Sequence, residues 1–267
     1  MPRLADLITM LEAFAPPRLA ESWDNVGLLV GDSEREIRRV MTCLTITPSS
    51  AREAIDERAD AILTHHPLPF RPLKRLTTAT VEGRLLIDLI AAGIAIYSPH
   101  TAFDSALAGI NQQWAEGLGL TSARPLVAAP DTAPEDGATL GAGRHGELPA
   151  PATLGELAAA VKRFLRIDQA QIVGPGGAPV TRVGVACGSG GEFVAAALAA
   201  GCQALVTGEA RFHTCLEAES QGLGLVLAGH YSSERFAVET LAGIVAQRFA
   251  DLEVWASRRE TDPLRWV

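Results

Sequence analysis

The sequence feature that most constrains this chain is an internal repeat. The stretch RVMTCL, which begins at Arg39, has the pattern of an apolar strand and is followed by a helical stretch and then by AILTHH. The stretch RVGVAC, which begins at Arg182, is followed in the same order by a helical stretch and then by ALVTGE. Thr64 and Thr207 keep the offset that separates the two arginines, so one register holds through strand, helix and strand. Such self-similarity indicates duplication.

The segments on either side of this core also correspond. LADLITMLEAF (4–14) and LGELAAAVKRF (154–164) both carry apolar residues at helical spacing, and Thr153 with Glu156 predicts a capping box for the second. Downstream, AGIAIYSPHTAFD matches LGLVLAGHYSSE. Each half therefore predicts the order helix, strand, strand, helix, strand, helix, strand, helix. Strands alternating with helices indicate an α/β fold of two similar subdomains, with mixed sheets covered by helices.

The repeat also predicts the organisation of the chain. We expect a first α/β half at 1–124, a connector at 125–150 and a second α/β half at 151–267. The connector is rich in Pro, Gly and Ala, and ATLGAG within it suggests an extra strand. It is too short to form a domain, so the two halves together make one unit, with a metal site expected between them.

Composition excludes several classes of protein. The 267 residues are 48% hydrophobic and 20% charged, which is typical of a globular chain with ample core. A net charge of −8 makes nucleic acid an unlikely partner. The 4 cysteines show no CxxC spacing, and two of them, Cys43 and Cys187, lie in apolar runs typical of small buried side chains. The sequence shows neither a secretory leader nor an apolar run of roughly 18 residues, so we expect a cytoplasmic protein without a membrane partner.

Two adjacent histidines end one of the predicted strands. His65 and His66 follow the stretch AILT (61–64), and Pro67 comes next. Consecutive side chains on a strand point to opposite faces, so both rings can meet one site only if the chain leaves the strand here. Pro67 favours that exit, because it donates no ladder hydrogen bond and biases His66 toward an extended or turn conformation.

Two further histidines stand at the starts of predicted helices. His100 precedes Asp104 by four residues, and His230 precedes Glu234 by the same spacing. Positions i and i+4 lie on one face of a helix, so each pair can reach one metal ion. A single pair of this kind is more typical of a solvated helix face or a cap. Its recurrence at equivalent places in the repeat, beyond the carboxyl ends of strands, favours a metal site, and four imidazoles with two carboxylates suit two ions.

Several motifs of the chain resemble those of a known family. SWDNVGLLVGD, ILTHHPLPFRPLKRL, YSPHTAFD, GSGG, TGE and GHYSSER are similar to successive motifs of the Nif-three-like family, also called GTP cyclohydrolase I type 2 homologues. The resemblance implies two similar α/β subdomains, a toroidal homohexamer and, in this short form, no inserted domain. It implies a dinuclear divalent-metal centre with these ligands: His65, His66, His100, Asp104, His230 and Glu234. Imidazole and carboxylate ligands admit Zn, Fe, Mn, Co or Ni.

The sequence departs from the family pattern at a few places. Members often carry aspartate where this chain has Thr45, and a Lys-His or His-His pair where it has Phe212 and His213. His145 stands where a small apolar residue is more usual. None of these positions is among the six ligands, and we interpret His145 and His213 as non-ligands.

Two functions of different classes fit these features. The first is a metal-dependent hydrolase acting on a nucleotide or another phosphate-bearing small molecule, with GTP cyclohydrolase-like chemistry by resemblance. The second is a metal-binding interaction or metal-delivery protein without turnover. Both need the same ligands.

Other motifs remain open. CGSGGEF fits a phosphate cradle less well than a compact turn between strand and helix, and Arg71, Lys74 and Arg75 form either a phosphate clamp or a solvated basic turn. Asp24 and Asn25 could hydrogen-bond to the histidines, although a turn is the plainer account of this pair. Trp23 has the character of a packing residue.

Overall fold

The computed structural model describes residues 1–129 and 140–265. Residues 130–139 of the predicted connector, which include the first two residues of the expected ATLGAG strand, lie outside the described residues. The α-helices of the described residues are α1 (Leu4–Phe14), α2 (Pro48–Asp56), α3 (Val81–Ala91), α4 (His100–Ser105), α5 (Ile110–Gly117), α6 (Leu154–Leu165), α7 (Val194–Ala199), α8 (Phe212–Ser220) and α9 (His230–Arg248). The strands are β1 (Gly27–Val30), β2 (Arg39–Cys43), β3 (Ala61–Thr64), β4 (Ala95–Ser98), β5 (Thr121–Arg124), β6 (Val127–Ala128), β7 (Gly141–Ala142), β8 (Arg144–Thr153), β9 (Gln171–Val173), β10 (Pro179–Ala186), β11 (Ala204–Thr207), β12 (Gly224–Leu227) and β13 (Glu253–Ala256).

The chain divides into two compact units. One consists of Met1–Phe103 together with Ala237–Val267, and the other of Asp104–Phe236. Each unit has its own sheet, and the predicted mixed α/β fold with sheets covered by helices is confirmed. None of the helices in the described ranges is long and apolar enough to cross a membrane.

The sheet of the first unit has the order β1-β4-β3-β2-β13. Strands β4, β3, β2 and β13 run parallel, and β1 closes one edge in the antiparallel direction. Every residue of β3 and β4 is buried, as expected where helices cover both faces of a parallel sheet. Because β3 and β4 are parallel neighbours, the residues that follow them emerge at the same edge.

The sheet of the second unit has the order β5-β8-β10-β11-β12-β9. Here β10, β11 and β12 are parallel, while β8 and β9 pair with them in the antiparallel direction. The order β10-β11-β12-β9 is that of β2-β3-β4-β1 in the first unit, with the same strand directions. Cys187, Gly208 and Ala228 therefore follow parallel strands that end at one edge.

Local sequence explains where several helices begin. Thr153 accepts a hydrogen bond from the amide of Glu156, whose carboxylate accepts one from the amide of Thr153, so the predicted capping box of α6 is confirmed. Thr47 caps α2 in the same way and is followed by Pro48 at the first helical position. Helices α4 and α9 begin at His100 and His230, as the sequence predicts.

Residues 253–260 belong to the first unit and are held against its other elements. Strand β13 pairs in parallel with β2. The buried carboxylate of Glu53 accepts hydrogen bonds from the Ser257 hydroxyl and from the amides of Arg258 and Arg259, at 2.7–3.1 Å. Burial alone would raise the pKa of Glu53, but these hydrogen bonds outweigh it and lower the pKa. A second buried carboxylate, that of Glu260, accepts from the amides of Leu44 and Thr45.

Candidate metal centre

His65 and His66 leave the end of β3 with both rings on one side. Their amides still donate to the carbonyls of Cys43 and Leu44, at 3.0 and 2.8 Å, but the ring centroids are only 5.1 Å apart. The expected exit from the strand before Pro67 is therefore confirmed. The hydroxyl of Ser98 donates to the carbonyl of His65 at 2.7 Å, so the end of β4 fixes the backbone of the first histidine.

His100 stands where β4 passes into α4. Its φ of 26° is uncommon for a residue other than glycine, and such conformations persist where surrounding contacts enforce them. Its ring Nδ1 hydrogen-bonds to Asp24 Oδ1 at 2.7 Å. Asp24 also accepts hydrogen bonds from the amide and hydroxyl of Thr101. Burial alone would raise the pKa of Asp24, but the hydrogen bonds from His100 and Thr101 lower it to about 2.

The three imidazoles of the first unit converge. Each of His65, His66 and His100 offers a ring nitrogen, and the three nitrogens lie within 4.8 Å of one another. The His100 centroid is 5.1 Å from that of His65 and 5.6 Å from that of His66. His65 is only 3% exposed, whereas His66 and His100 are half-buried, so the cluster combines a buried donor with two that solvent can reach. This arrangement is suited to binding one divalent transition-metal ion.

Contacts behind the rings select the nitrogen that faces an ion. Thr45 Oγ1 lies 2.7 Å from His66 Nδ1, just as Asp24 engages Nδ1 of His100. Such partners orient metal-binding histidines in proteins and hold one tautomer. With Nδ1 engaged on both rings, Nε2 is the nitrogen suited to metal binding. Sequence reasoning anticipated Asp24 in this role but recorded Thr45 only as a departure.

The second unit carries a histidine–carboxylate pair at the start of α9. His230 Nε2 lies 3.1 Å from Glu234 Oε2, so the predicted i, i+4 pair faces one point. The other ring nitrogen, Nδ1, lies 3.0 Å from Glu209 Oε1. Glu209 follows β11 in the TGE motif, and sequence reasoning did not assign it a partner. The hydrogen bond to Glu234 is the main cause that raises the pKa of His230 to about 9.

The turn after β10 lies against the same pair. Gly188 has a φ of 59°, and a Cβ added there would lie 2.2 Å from Glu234 Oε1 and 3.4 Å from His230 Nε2. Its amide donates to Ser233 Oγ at 2.9 Å. The glycine of this GSGG motif is therefore needed for close approach of the turn to the carboxylate.

Asp104 lies beside the same turn. Cys187 Sγ donates to Asp104 Oδ1 at 3.2 Å, and the amide of Cys187 donates to Asn111 Oδ1 at 2.8 Å. Burial, together with the charges of Asp104 and Glu234, raises the pKa of the Cys187 thiol well above its usual range. Cys187 is half-buried and donates a hydrogen bond to a candidate ligand, so it is not simply the small buried apolar side chain that the sequence suggests.

The structure thus places each predicted ligand at a strand end or on the helix that follows. It brings His65, His66 and His100 together in the first unit, and His230 with Glu234 in the second. Of the predicted non-ligands, His213 lies exposed on α8 beside Phe212, and His145 lies on β8. Trp23 is 58% exposed, so its interpretation as a packing residue is wrong.

Comparisons with known proteins agree with this architecture. The profile of the Duf34/NIF3 family (NGG1p interacting factor 3) matches residues 2–263. A "GTP cyclohydrolase 1 type 2 homolog" of Clostridium perfringens is 33% identical and covers 99% of this chain and 100% of its own length. A protein of the same name from Streptomyces coelicolor is 36% identical over 98% of this chain and 94% of its own length. The crystal structure of a Staphylococcus aureus protein superimposes with a TM-score of 0.87 at 28% identity, covering 100% of this chain and 99% of that one.

Proposed function

Because the chain belongs to the Duf34/NIF3 family, we propose that it holds a dinuclear divalent-metal centre and acts as a metal-dependent hydrolase. The substrate would be a nucleotide or a related small molecule. The name shared by the Clostridium and Streptomyces relatives, GTP cyclohydrolase 1 type 2 homolog, supports a nucleotide.

The observation that carries the proposal is the convergence of His65, His66 and His100. Three ring nitrogens within 4.8 Å of one another match the donor set that transition metals prefer. The hydrogen bond between His66 and Thr45 and that between His100 and Asp24 supply the support that such ligands require. By the chemistry of its donors, this cluster fits a metal ion.

The second unit offers donors that complement these. We propose that Asp104, His230 and Glu234 are the remaining ligands, and that the chain arose by duplication. The common strand order of the two sheets supports the duplication. Two dications need negative charge nearby, and the two carboxylates provide it. The close approach of Gly188 to Glu234 leaves that carboxylate little room to turn away.

When bound, divalent ions would supply Lewis acidity and lower the pKa of a coordinated water. The protein's own residues have other tasks. Asp24 and Thr45 hold the rings of His100 and His66, and Glu209 holds that of His230. The raised pKa of Cys187 keeps its thiol protonated at neutral pH, so this cysteine is a poor nucleophile.

Metal analysis of the purified chain tests the proposal. Elemental analysis after loading with Zn, Fe, Mn, Co or Ni should find about two ions per chain. His65→Ala and His230→Ala should each lose at least one ion, whereas the exposed His213→Ala should match the unaltered protein. One ion or none after careful loading would contradict the dinuclear centre.

Turnover separates the two functions. Metal-loaded protein should hydrolyse nucleotides or phosphoesters in a panel that begins with GTP, and chelation should abolish that activity. Activity that survives thorough chelation would refute the metal mechanism. Full metal loading without turnover across the panel would favour a metal-binding or metal-delivery protein.

We further propose that the chain assembles into a toroidal homohexamer. Large apolar side chains that are exposed in the single chain, such as Phe212 and Leu216 on α8, support self-association. Light scattering should show a species far heavier than the 28.1 kDa chain. A monodisperse monomer at micromolar concentration would refute this assembly.

A further inference from the structure

Two exposed aromatic rings stand beside the imidazole cluster. Trp23 is 58% exposed and Phe70 is 40% exposed, and their centroids lie 6.0 Å apart in a T-shaped arrangement. The ring of His100 lies 6.1 Å from Trp23 and 6.2 Å from Phe70. Single exposed apolar residues are ordinary on protein surfaces. Two neighbouring aromatic rings at the edge of a polar cluster are typical of a binding site.

The local structure holds these rings in place. Asp24, next to Trp23, is fixed by hydrogen bonds from His100 and Thr101. Asn25 Nδ2 donates to the carbonyl of Pro69 at 2.7 Å, which ties the segment of Trp23 to the residue before Phe70. Two segments that are distant in sequence therefore present their aromatic side chains together. Aromatic side chains on such a fixed framework lose little conformational freedom when a ligand stacks on them.

Three cations follow Phe70 directly in the chain. Arg71, Lys74 and Arg75 are all exposed, and none of them forms an ion pair with another described residue. Exposed guanidinium and ammonium groups bind phosphate through charge-assisted hydrogen bonds. On a chain with a net charge of −8, three such cations within five residues of Phe70 in the sequence are suited to an anionic ligand.

We propose that Trp23 and Phe70 form the site for a planar nitrogen heterocycle, and that Arg71, Lys74 and Arg75 hold the phosphate chain of the same ligand. This inference rests on the proposed function, because it places the heterocycle next to His100. The ring, rather than the phosphate chain, then faces the imidazole cluster. The favoured chemistry at the centre is hydrolysis of a bond in the heterocycle, with water adding to a ring carbon and the ring nitrogen leaving with a proton.

Binding measurements on the full-length chain test the assignment. ATP, GTP, guanosine and inorganic triphosphate would each be titrated by calorimetry, with and without bound metal. Trp23→Ala and Phe70→Ala should raise the Kd of the nucleotides about 5- to 100-fold, since a stacked base contributes on that scale. Trp23→Phe, which keeps a ring, should recover most of the affinity. Ile90→Ala, at a position that is 48% exposed on α3, is the control and should leave affinity unchanged.

The role of Arg71, Lys74 and Arg75 is tested separately. The triple variant Arg71→Ala, Lys74→Ala, Arg75→Ala should weaken GTP and triphosphate but leave guanosine binding unchanged. Trp23→Ala should weaken GTP and guanosine but leave triphosphate unchanged. This opposite pattern is expected only if ring and phosphate occupy different parts of one site.

Several results would overturn the inference. These are unchanged nucleotide affinity in Trp23→Ala and Phe70→Ala, failure of the unaltered protein to bind any probe, or altered oligomeric state in these variants without altered affinity. Loss of metal from Trp23→Ala together with loss of ligand would show that the rings only shield the histidines. Failure of the metal centre itself would be seen independently, as absent metal in a protein that still binds nucleotides through Trp23 and Phe70.

Discussion

Glu260 should be essential for stability although it lies at the end of the chain. The residue is 7% exposed, and its carboxylate accepts hydrogen bonds from the amides of Leu44 and Thr45 at 2.9 and 2.6 Å. Glu260→Ala removes both acceptors. A buried donor left without a partner costs about 1–3 kcal/mol, which applies in full to Leu44 and in part to the half-buried Thr45, so the free energy of unfolding should fall by about 2–4 kcal/mol.

Glu260→Ala should also weaken metal binding at the candidate centre. Thr45, whose amide donates to Glu260, holds Nδ1 of His66 through its hydroxyl. Releasing that backbone should therefore weaken metal binding as well as stability. Thr45→Val, which removes the hydroxyl but keeps the amide, should weaken metal binding with a smaller loss of stability.

Urea denaturation and hydrogen exchange together measure this effect. Exchange at the amides of Leu44 and Thr45 should accelerate more than exchange at the amides of β2. Glu260→Gln, which keeps one acceptor oxygen, should lie between the alanine variant and the unaltered protein. Glu253→Ala is the control on the same segment, since Glu253 is an exposed partner of Arg39 and a surface ion pair contributes about 0–1 kcal/mol. A loss for Glu260→Ala no larger than that of the control would refute this reasoning.

Three further predictions concern metal binding. An ion must displace the proton that Glu234 helps to hold on His230, whose pKa is about 9. The apparent affinity for metal should therefore rise roughly tenfold per pH unit up to about pH 9 and then level off. Chelator competition measures this affinity. Asp24→Asn removes the carboxylate that orients His100 and should lower metal affinity about 10- to 100-fold in the same assay. Gly188→Ala places a Cβ 2.2 Å from Glu234 Oε1, so elemental analysis should show reduced metal content.

Control substitutions distinguish a specific loss of metal binding from a general loss of structure. Glu21 is close to Asp24 in sequence but is exposed, so Glu21→Gln should leave metal affinity unchanged. Gly177→Ala adds a Cβ with nothing within 4 Å, so it should retain the full metal content. Metal affinity that is flat between pH 7 and 9 would contradict the role given to the proton on His230.

Local sequence determined the elements and much of the candidate site. Apolar runs and their periods reveal β3 and β4, and the capping residues Thr153 and Glu156 reveal the start of α6. These signals are readable because hydrophobic period and capping act over a few neighbouring residues. The same logic placed His65 and His100 at strand ends, since parallel strands that belong to one sheet end at a common edge.

Only the tertiary structure decided which distant segments meet. Strand β13 pairs with β2, and nothing in the local pattern of EVWA specifies that partner. Asp24 reaches His100, and Asn25 brings Trp23 beside Phe70. The residue type of Trp23 suggested burial, but its exposure depends on whether another segment of the chain covers it. Pairing and burial are set by contacts between residues far apart in the chain, and these contacts are fixed by packing of the whole fold rather than by short-range preference.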